Sequence, residues 1–415
     1  MNVLIEKLVT GGQGLGVLPD GRKVFVWNAL PGEVVDVELL REKRSFAEGV
    51  AMRVIEPSPD RIAPKEKAYL STSPWQILSE KAENQYKLSI VREQFTREHL
   101  DTAVLPQEVA TDGVLYGYRN KVEFGFTEED GMLRLAVTGR HSHEKISVHG
   151  SLLARPELNR AAQEIVASLQ QLHVSAAQLS HITLRCSQEG RVAAYIITHT
   201  LHFPELPLPV SLAGLHVQFA DGFGRKHRTK VLQVSGETTL YDTLLGTALR
   251  YSPKSFFQVN LPVYETVLAD IRVVLNGQDA VELYAGVGSI GLTTGAHHVT
   301  LVDIDPLNTV FAEENLRRST AKGEVVTSSS EKALEHIVSE KSLVVDPPRA
   351  GLSPQVVSRI LGAIPPQVIY LSCDPATLAR DVVKLQKAYE LRTVKVYNFF
   401  PRTPHIETLV VLEKK

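Results

Sequence analysis

The sequence predicts a mixed α/β chain in three parts: a small β-barrel over residues 1–56, an α+β middle over 57–250, and an open, mostly parallel α/β sheet over 251–415. Three observations carry this. Glycine turns break the first 56 residues into short apolar strands. Pro57, Pro59 and Pro64 then form a connector. From about residue 251 short apolar strands alternate with helical segments, the mark of a parallel sheet.

Composition sets limits. At roughly 150 residues per domain, 415 residues make two or three domains. Lys and Arg number 45 against 47 Asp and Glu, a net charge of −2, which excludes a globally basic nucleic-acid binder but leaves room for a local basic groove. No apolar run reaches about 18 residues, so no membrane span is expected. Glu6 and Lys7 interrupt the first ten residues, so no signal peptide is expected. Two cysteines, Cys186 and Cys373, are too few for a disulfide scaffold, a thiolate zinc site or a four-cysteine iron–sulfur cluster, and fit a reducing, cytoplasmic compartment.

In the first part, Gly11-Gly12-Gln13-Gly14 and Pro19-Asp20-Gly21 are turn signals, residues 23–27 are a β-branched and aromatic run, and Leu30-Pro31-Gly32-Glu33 turns the chain into 34–40. In the middle, residues 75–100 and 157–172 read as helices and 122–126 and 192–197 as strands. Residues 225–230 are a basic stretch. In the last part the strands are 280–284, 299–303, 342–345, 368–371 and 406–412.

Ligands of open α/β sheets bind at the carboxyl ends of the strands, and here each such end carries a distinctive group. After 280–284 comes Gly286-Val287-Gly288-Ser289-Ile290-Gly291, a loop that lets backbone approach a ligand; the pattern fits both dinucleotide and S-adenosylmethionine sites, and also a plain strand–helix turn. Asp303 ends the next strand, where a carboxylate can hold ribose hydroxyls, and Asp305 ahead of Pro306 reads as a helix cap. Asp346-Pro347-Pro348-Arg349 follows 342–345, and its prolines aim the Asp346 carboxylate. Ser372-Cys373-Asp374-Pro375 follows 368–371, with Asp374 as N-cap and Pro375 opening a helix. Cys373 stands just before that helix, where the dipole favours a thiolate nucleophile; the alternative is a small buried apolar residue. Glu407, entering the last strand, is either exposed at its mouth or a base with a raised pKa. Phe256 and Phe257 are either core or a stacking surface beside Gln258 and Asn260. The pairs His141/His143 and His297/His298 read as surface or structural, and no metal site is expected.

Taken together, these motifs resemble the RNA uracil-5 methyltransferases, which form 5-methyluridine in ribosomal or transfer RNA. The resemblance covers nearly the whole chain. Residues 11–36 are similar to the TRAM domain, an OB-like barrel that grips RNA, and Gly117-Tyr118-Arg119-Asn120-Lys121 resembles a signature of the central domain. Residues 255–260, 283–288, 346–351, 372–381 and 400–407 match a Rossmann-like class I methyltransferase domain in order and spacing.

The resemblance implies roles. Cys373 is the expected nucleophile, Glu407 the base, and Asp346 the holder of the uracil edge beside the cofactor. Gln258, Tyr284, Gly286, Gly288, Ser289 and Asp303 are the expected S-adenosylmethionine contacts. Phe256 is expected to stack on the flipped uracil, with Arg119 and Lys121 as further substrate contacts. Many members carry a four-cysteine cluster, but Glu66, Thr72, Trp75 and Gly150 stand roughly in those places here, so no iron–sulfur cluster is expected and packing by Trp75 and its neighbours takes its place.

The chemistry explains the residue types. A thiolate adding to carbon 6 of uracil makes carbon 5 nucleophilic, and a carboxylate then removes the carbon 5 hydrogen so that the sulfur can leave. The expected partner is RNA, ribosomal in preference to transfer RNA, acted on by a monomer. The competing readings are a tRNA enzyme, a non-catalytic RNA-binding protein of the same fold, a nicotinamide oxidoreductase, which leaves Cys373 without a role, and an amino-group methyltransferase, which needs no cysteine.

Overall fold

The glycine-broken runs at the N-terminus form a closed barrel in this computed structural model, from strands Asn2–Leu8, Gly14–Val17, Lys23–Trp27, Val34–Glu42 and Phe46–Glu56. The last strand closes it, pairing parallel to Lys23–Trp27 and antiparallel to Val34–Glu42. Alternate residues point inward, so Val3, Ile5, Val24, Val26, Val35, Val37, Ala47 and Ala51 fill it. The structure describes residues 1–140, 142, 144–222 and 228–415. His141, His143 and residues 225–227 of the basic stretch lie outside the described residues.

The chain divides into two units. The first joins Met1–Leu115 to Asp346–Lys415. Besides the barrel it holds helix Glu80–Arg97, which starts where the Ser79 side chain accepts from the Ala82 N–H and which has Glu80 and Glu83 in its first turn. Strand Glu407–Lys414 runs antiparallel between Gln367–Ser372 and Tyr389–Tyr397. Helices Pro354–Ala363 and Pro375–Leu385 pack against each other, and the latter also meets Glu80–Arg97.

The second unit is Tyr116–Val345. It contains a seven-stranded sheet in the order Thr229–Gly236, Leu212–Ala220, Val192–Thr198, Leu179–Cys186, Lys121–Glu129, Met132–Thr138, Lys145–Val148. Helix Pro156–Gln171 lays Leu158, Ala161, Ala162, Ile165 and Leu169 into that sheet's core, where Cys186 is also buried. The hairpin Leu240–Leu244/Thr247–Tyr251 follows. Four parallel strands come next, in the order Lys322–Thr327, His298–Asp303, Ala280–Leu283, Ser342–Val345. Ala280–Leu283 and Ser342–Val345 are buried at every residue, as parallel strands covered on both faces require.

Candidate active site

Within the first unit, one group of predicted residues shares an electrostatic environment. Asp346, half-buried, opens the turn through buried Pro347 to exposed Arg349. The turn is tied down beyond Arg349: the Leu352 N–H donates 2.8 Å to Asp381, and Arg380 donates 2.9 Å to the Ala350 carbonyl. Strand Gln367–Ser372 delivers half-buried Cys373 to the start of helix Pro375–Leu385. Asp374 caps that helix, its Oδ1 accepting from the Ala376 and Thr377 N–H groups at 3.0 and 2.9 Å.

Glu407 is not at an exposed mouth. It is 4% exposed and its Oε2 has no hydrogen-bond partner. Burial first, and then the neighbouring Asp346, push its carboxyl well above the usual carboxylate range, against a smaller opposing pull from Arg349. Burial raises Asp346 as well. Burial and a neighbouring carboxyl therefore favour the protonated form of Glu407, as at sites that hold and pass on a proton.

Cys373 departs from expectation. The helix position suggested a favoured thiolate, but burial pushes the thiol up to about 12, with Glu407, Asp346 and Asp374 adding to the rise and Arg349 opposing it. Desolvation and three carboxyl groups outweigh the dipole and a single guanidinium, so the unliganded thiol keeps its proton. Arg349 also donates to His405 Nδ1 at 3.0 Å, which fixes that nitrogen as acceptor.

A buried polar cluster holds the segment leading to Glu407. Lys87 Nζ donates to Asn398 Oδ1 and to the Phe400 carbonyl at 2.5 and 3.1 Å. The Glu83 carboxylate accepts from the Arg402 N–H and lies 3.1 Å from Lys87. The Arg402 guanidinium donates to the Leu78 carbonyl, and Arg402 itself has φ 66°. Trp75, 1% exposed, donates through Nε1 to the Gly12 carbonyl at 3.1 Å and through its N–H to the Arg402 carbonyl. Glu66 accepts from Gln76 and Thr72. Gly150 belongs to the other unit.

Within the second unit, the loop after Ala280–Leu283 has Tyr284, Gly286 and Gly288 all at positive φ, 63°, 56° and 83°. Tyr284 is held there by a 2.8 Å hydrogen bond from the Ser330 hydroxyl to its own. A Cβ at Gly286 would stand 3.2 Å from the Phe256 ring, and at Gly288 2.8 Å from Leu301, so with their positive φ both positions require glycine for the turn to pack this closely. Asp303 Oδ2 accepts from the Gly286 N–H at 2.8 Å, and its Oδ1 accepts from the Asp305 N–H and from Asn308. A carboxylate accepts about four hydrogen bonds, so Asp303 is fixed in place with acceptor capacity left on Oδ2. Ser289 is buried and shares a 2.7 Å hydrogen bond with Tyr264.

Of the two aromatics, Phe257 is core at 3% exposure and Phe256 is 55% exposed. Gln258 is buried, and its carbonyl accepts from Asn120 at 3.1 Å. Arg119 and Lys121 are half-buried. Burial, and the Arg185 charge opposite, pull the Lys121 ammonium down to about 8. Asn308 and Arg185, which hold this region together, escaped the sequence reading because their partners are far away in the chain. Among the described residues no group of three or more His, Cys, Asp or Glu is placed to hold a metal ion.

Residues 332–415 match the family described as tRNA (Uracil-5-)-methyltransferase, and residues 1–52 match the TRAM domain. An uncharacterized RNA methyltransferase of Lactiplantibacillus plantarum is 30% identical over 436 residues, spanning 97% of this chain and 95% of its own. One from Lactobacillus johnsonii is 27% identical over 427 residues, spanning 95% and 94%. The crystal structure of Pyrococcus abyssi tRNA (uracil-54, C5)-methyltransferase in complex with S-adenosyl-L-homocysteine has the same fold, with TM-score 0.75, 22% identity and coverage of 99% of this chain and 100% of that one.

Proposed function

The chain belongs to the RNA uracil-5 methyltransferase family, whose members are S-adenosylmethionine-dependent class I enzymes, and from that premise we propose that it methylates carbon 5 of a specific uridine in 23S ribosomal RNA through a transient Cys373 adduct. The observation that carries this reading is Glu407, a buried carboxyl whose Oε2 is unpartnered and whose pKa is raised, in one electrostatic group with a cysteine thiol and a second carboxyl. A structural carboxylate would be paired or solvated; this one suits proton transfer.

In this proposal Cys373 Sγ bonds to carbon 6 while its thiol proton passes to water, so the negative charge develops on the ring rather than being stored on sulfur. Asp346, whose protonated form burial favours by raising its pKa to about 7, donates a hydrogen bond in that form to the polar edge of the uracil. Once carbon 5 carries the transferred methyl group, Glu407, its own proton already lost to water, takes the carbon 5 hydrogen, and the sulfur leaves as the thiolate. S-adenosylmethionine, when bound, supplies the methyl group from its sulfonium. The loop after Ala280–Leu283 is where it would bind: Gly286 and Gly288 form the tight turn, Asp303 has acceptor capacity left for hydroxyls, and Tyr284, Ser289 and Gln258 would be its further contacts. Phe256 offers a face for the flipped base, while Arg119 and Lys121 serve the RNA. No iron–sulfur cluster takes part.

Ribosomal RNA is favoured because the resemblance includes the N-terminal barrel. Transfer RNA is the second reading, favoured by the matched family's description and by the substrate named for the Pyrococcus abyssi enzyme. The working form is a cytoplasmic monomer. No described helix is long and apolar enough to cross a membrane.

The test is total RNA from a strain deleted for this gene, treated with the purified protein and methyl-labelled S-adenosylmethionine. Ribosomal and transfer RNA are then separated and their nucleosides identified by mass spectrometry. Labelled 5-methyluridine in the large ribosomal RNA is the expected result. Label in tRNA moves the substrate, and label in another nucleoside overturns the cysteine route. Cys373→Ala is expected to abolish turnover while retaining cofactor binding, and Glu407→Gln to accumulate an RNA–protein adduct visible on a denaturing gel.

A further inference from the structure

Arg185, on strand Leu179–Cys186, is fully buried, yet its guanidinium hydrogen bonds reach no carboxylate. One nitrogen donates to the Ser255 carbonyl at 3.3 Å. Another donates to the Phe257 carbonyl and, at 3.4 Å, to Asn120 Oδ1. A buried cation is costly, and burial pulls even this guanidinium down to about 10. Leucine would fill such a position at lower cost. What the cation gains here is a grip on two carbonyls of one short segment.

The surroundings extend that grip. Tyr251 and Phe257 stack at 4.3 Å and 14°, and the guanidinium carbon lies 5.2 and 5.6 Å from their ring centroids. Asp242 accepts from the Tyr251 hydroxyl and from the Gln188 N–H, which anchors the stack. Asn120 donates to the Gln258 carbonyl, and Asn308 accepts from the Phe256 N–H at 2.9 Å while donating to Asp303. The carbonyls of Ser255, Phe257 and Gln258 and the N–H of Phe256 are therefore all fixed, and only the Phe256 ring reaches outward, beside Gly286.

We propose that Arg185 is a positioning residue: by clamping the Ser255 and Phe257 carbonyls it presents the Phe256 ring as a rigid face for the substrate base. This rests on the reading of Phe256 as the base-stacking residue. Arg185 touches neither substrate nor cofactor and acts through the segment it holds.

The test is a double-mutant cycle on the full chain with Arg185→Met, Phe256→Ala and both, read as kcat/KM for RNA methylation below the unfolding temperature of every variant. Arg185→Met is expected to lower kcat/KM by about tenfold or more, mainly through KM for RNA. The double variant is expected to match Phe256→Ala within about twofold, because residues acting as a unit are not additive. Losses that multiply overturn the clamp. Full activity in Phe256→Ala overturns the stacking reading itself, and the proposal with it. If Arg185→Met does not fold, Arg185→Lys runs the same cycle: a compact ammonium lacks the planar fork whose two separate nitrogens reach the Ser255 and Phe257 carbonyls, so it is expected to lose kcat/KM in the same non-additive way, and additive loss again overturns the clamp.

Discussion

A carboxyl group enclosed as Glu407 is makes a thermodynamic demand of its own. Unfolded, it ionises near 4.5; folded, it holds its proton to a higher pH. The folded state therefore binds the proton more tightly, and stability contributed by this group falls as pH rises from 4.5 toward the folded value. Glu407→Gln, which removes the charge and keeps the shape, is expected to raise the unfolding free energy at pH 8 by roughly 1–3 kcal/mol. Near pH 4 the gain should vanish, since both states are then protonated. Urea melts at the two pH values measure this, and an equal effect at both would mean the carboxyl is not strained by ionisation. Cys373 gives a second readout. With its thiol at about 12, alkylation at pH 7 is expected to be roughly a thousandfold slower than for a free cysteine, which ionises near 8.5. The sequence made Cys373 and Glu407 visible as residue types at strand ends. It did not make their pKa values legible, because those depend on burial and on Asp346, Arg349 and one another, all distant in the chain.

At the level of elements, local chemistry was readable and long-range chemistry was not. Asp374 and Asp305 cap their helices ahead of Pro375 and Pro306 as expected, because a cap is decided within three or four residues. Strand Tyr389–Tyr397 and the hairpin ending at Tyr251 carry no continuous apolar run, since one face of each is exposed and their stability comes from neighbours. The Asp374 cap carries a prediction because it adjoins Cys373. Asp374→Ala loses two accepted N–H bonds and is expected to cost about 1 kcal/mol in a denaturant melt. Asp374→Asn keeps the cap but removes a charge that raises the thiol. Cys373 should then alkylate faster in Asp374→Asn than in the parent chain, with stability changed by only a few tenths of a kcal/mol. An unchanged alkylation rate would show that the Asp374 charge does not act on the thiol, leaving burial and the charges of Glu407, Asp346 and Arg349.

Over the whole molecule, residues 57–115 and the last residues of the chain fall in one unit and share their buried polar partners. Helix Glu80–Arg97 buries Glu83 and Lys87, whose partners Asn398, Phe400 and Arg402 come from the last 18 residues. Trp75 likewise needs the Arg402 carbonyl. A chain stopped at residue 345 leaves that lysine with only Glu83 and the face of Trp75, in a surface stripped of its cover. An uncompensated buried ion pair and a bare apolar face cost several kcal/mol, comparable to the stability of a domain. The barrel, with its own closed core, does not share this dependence. Limited proteolysis of the 1–345 fragment is therefore expected to cut within residues 57–115 while sparing the barrel strands, and adding a 346–415 polypeptide is expected to restore resistance there. Lys87→Met in the full chain separates the two causes: if lost cover is the defect it should stay resistant, and if the cation's hydrogen bonds are essential it should be cut like the fragment. A fragment as resistant as the full chain would mean that residues 57–115 fold without the segment that carries Glu407.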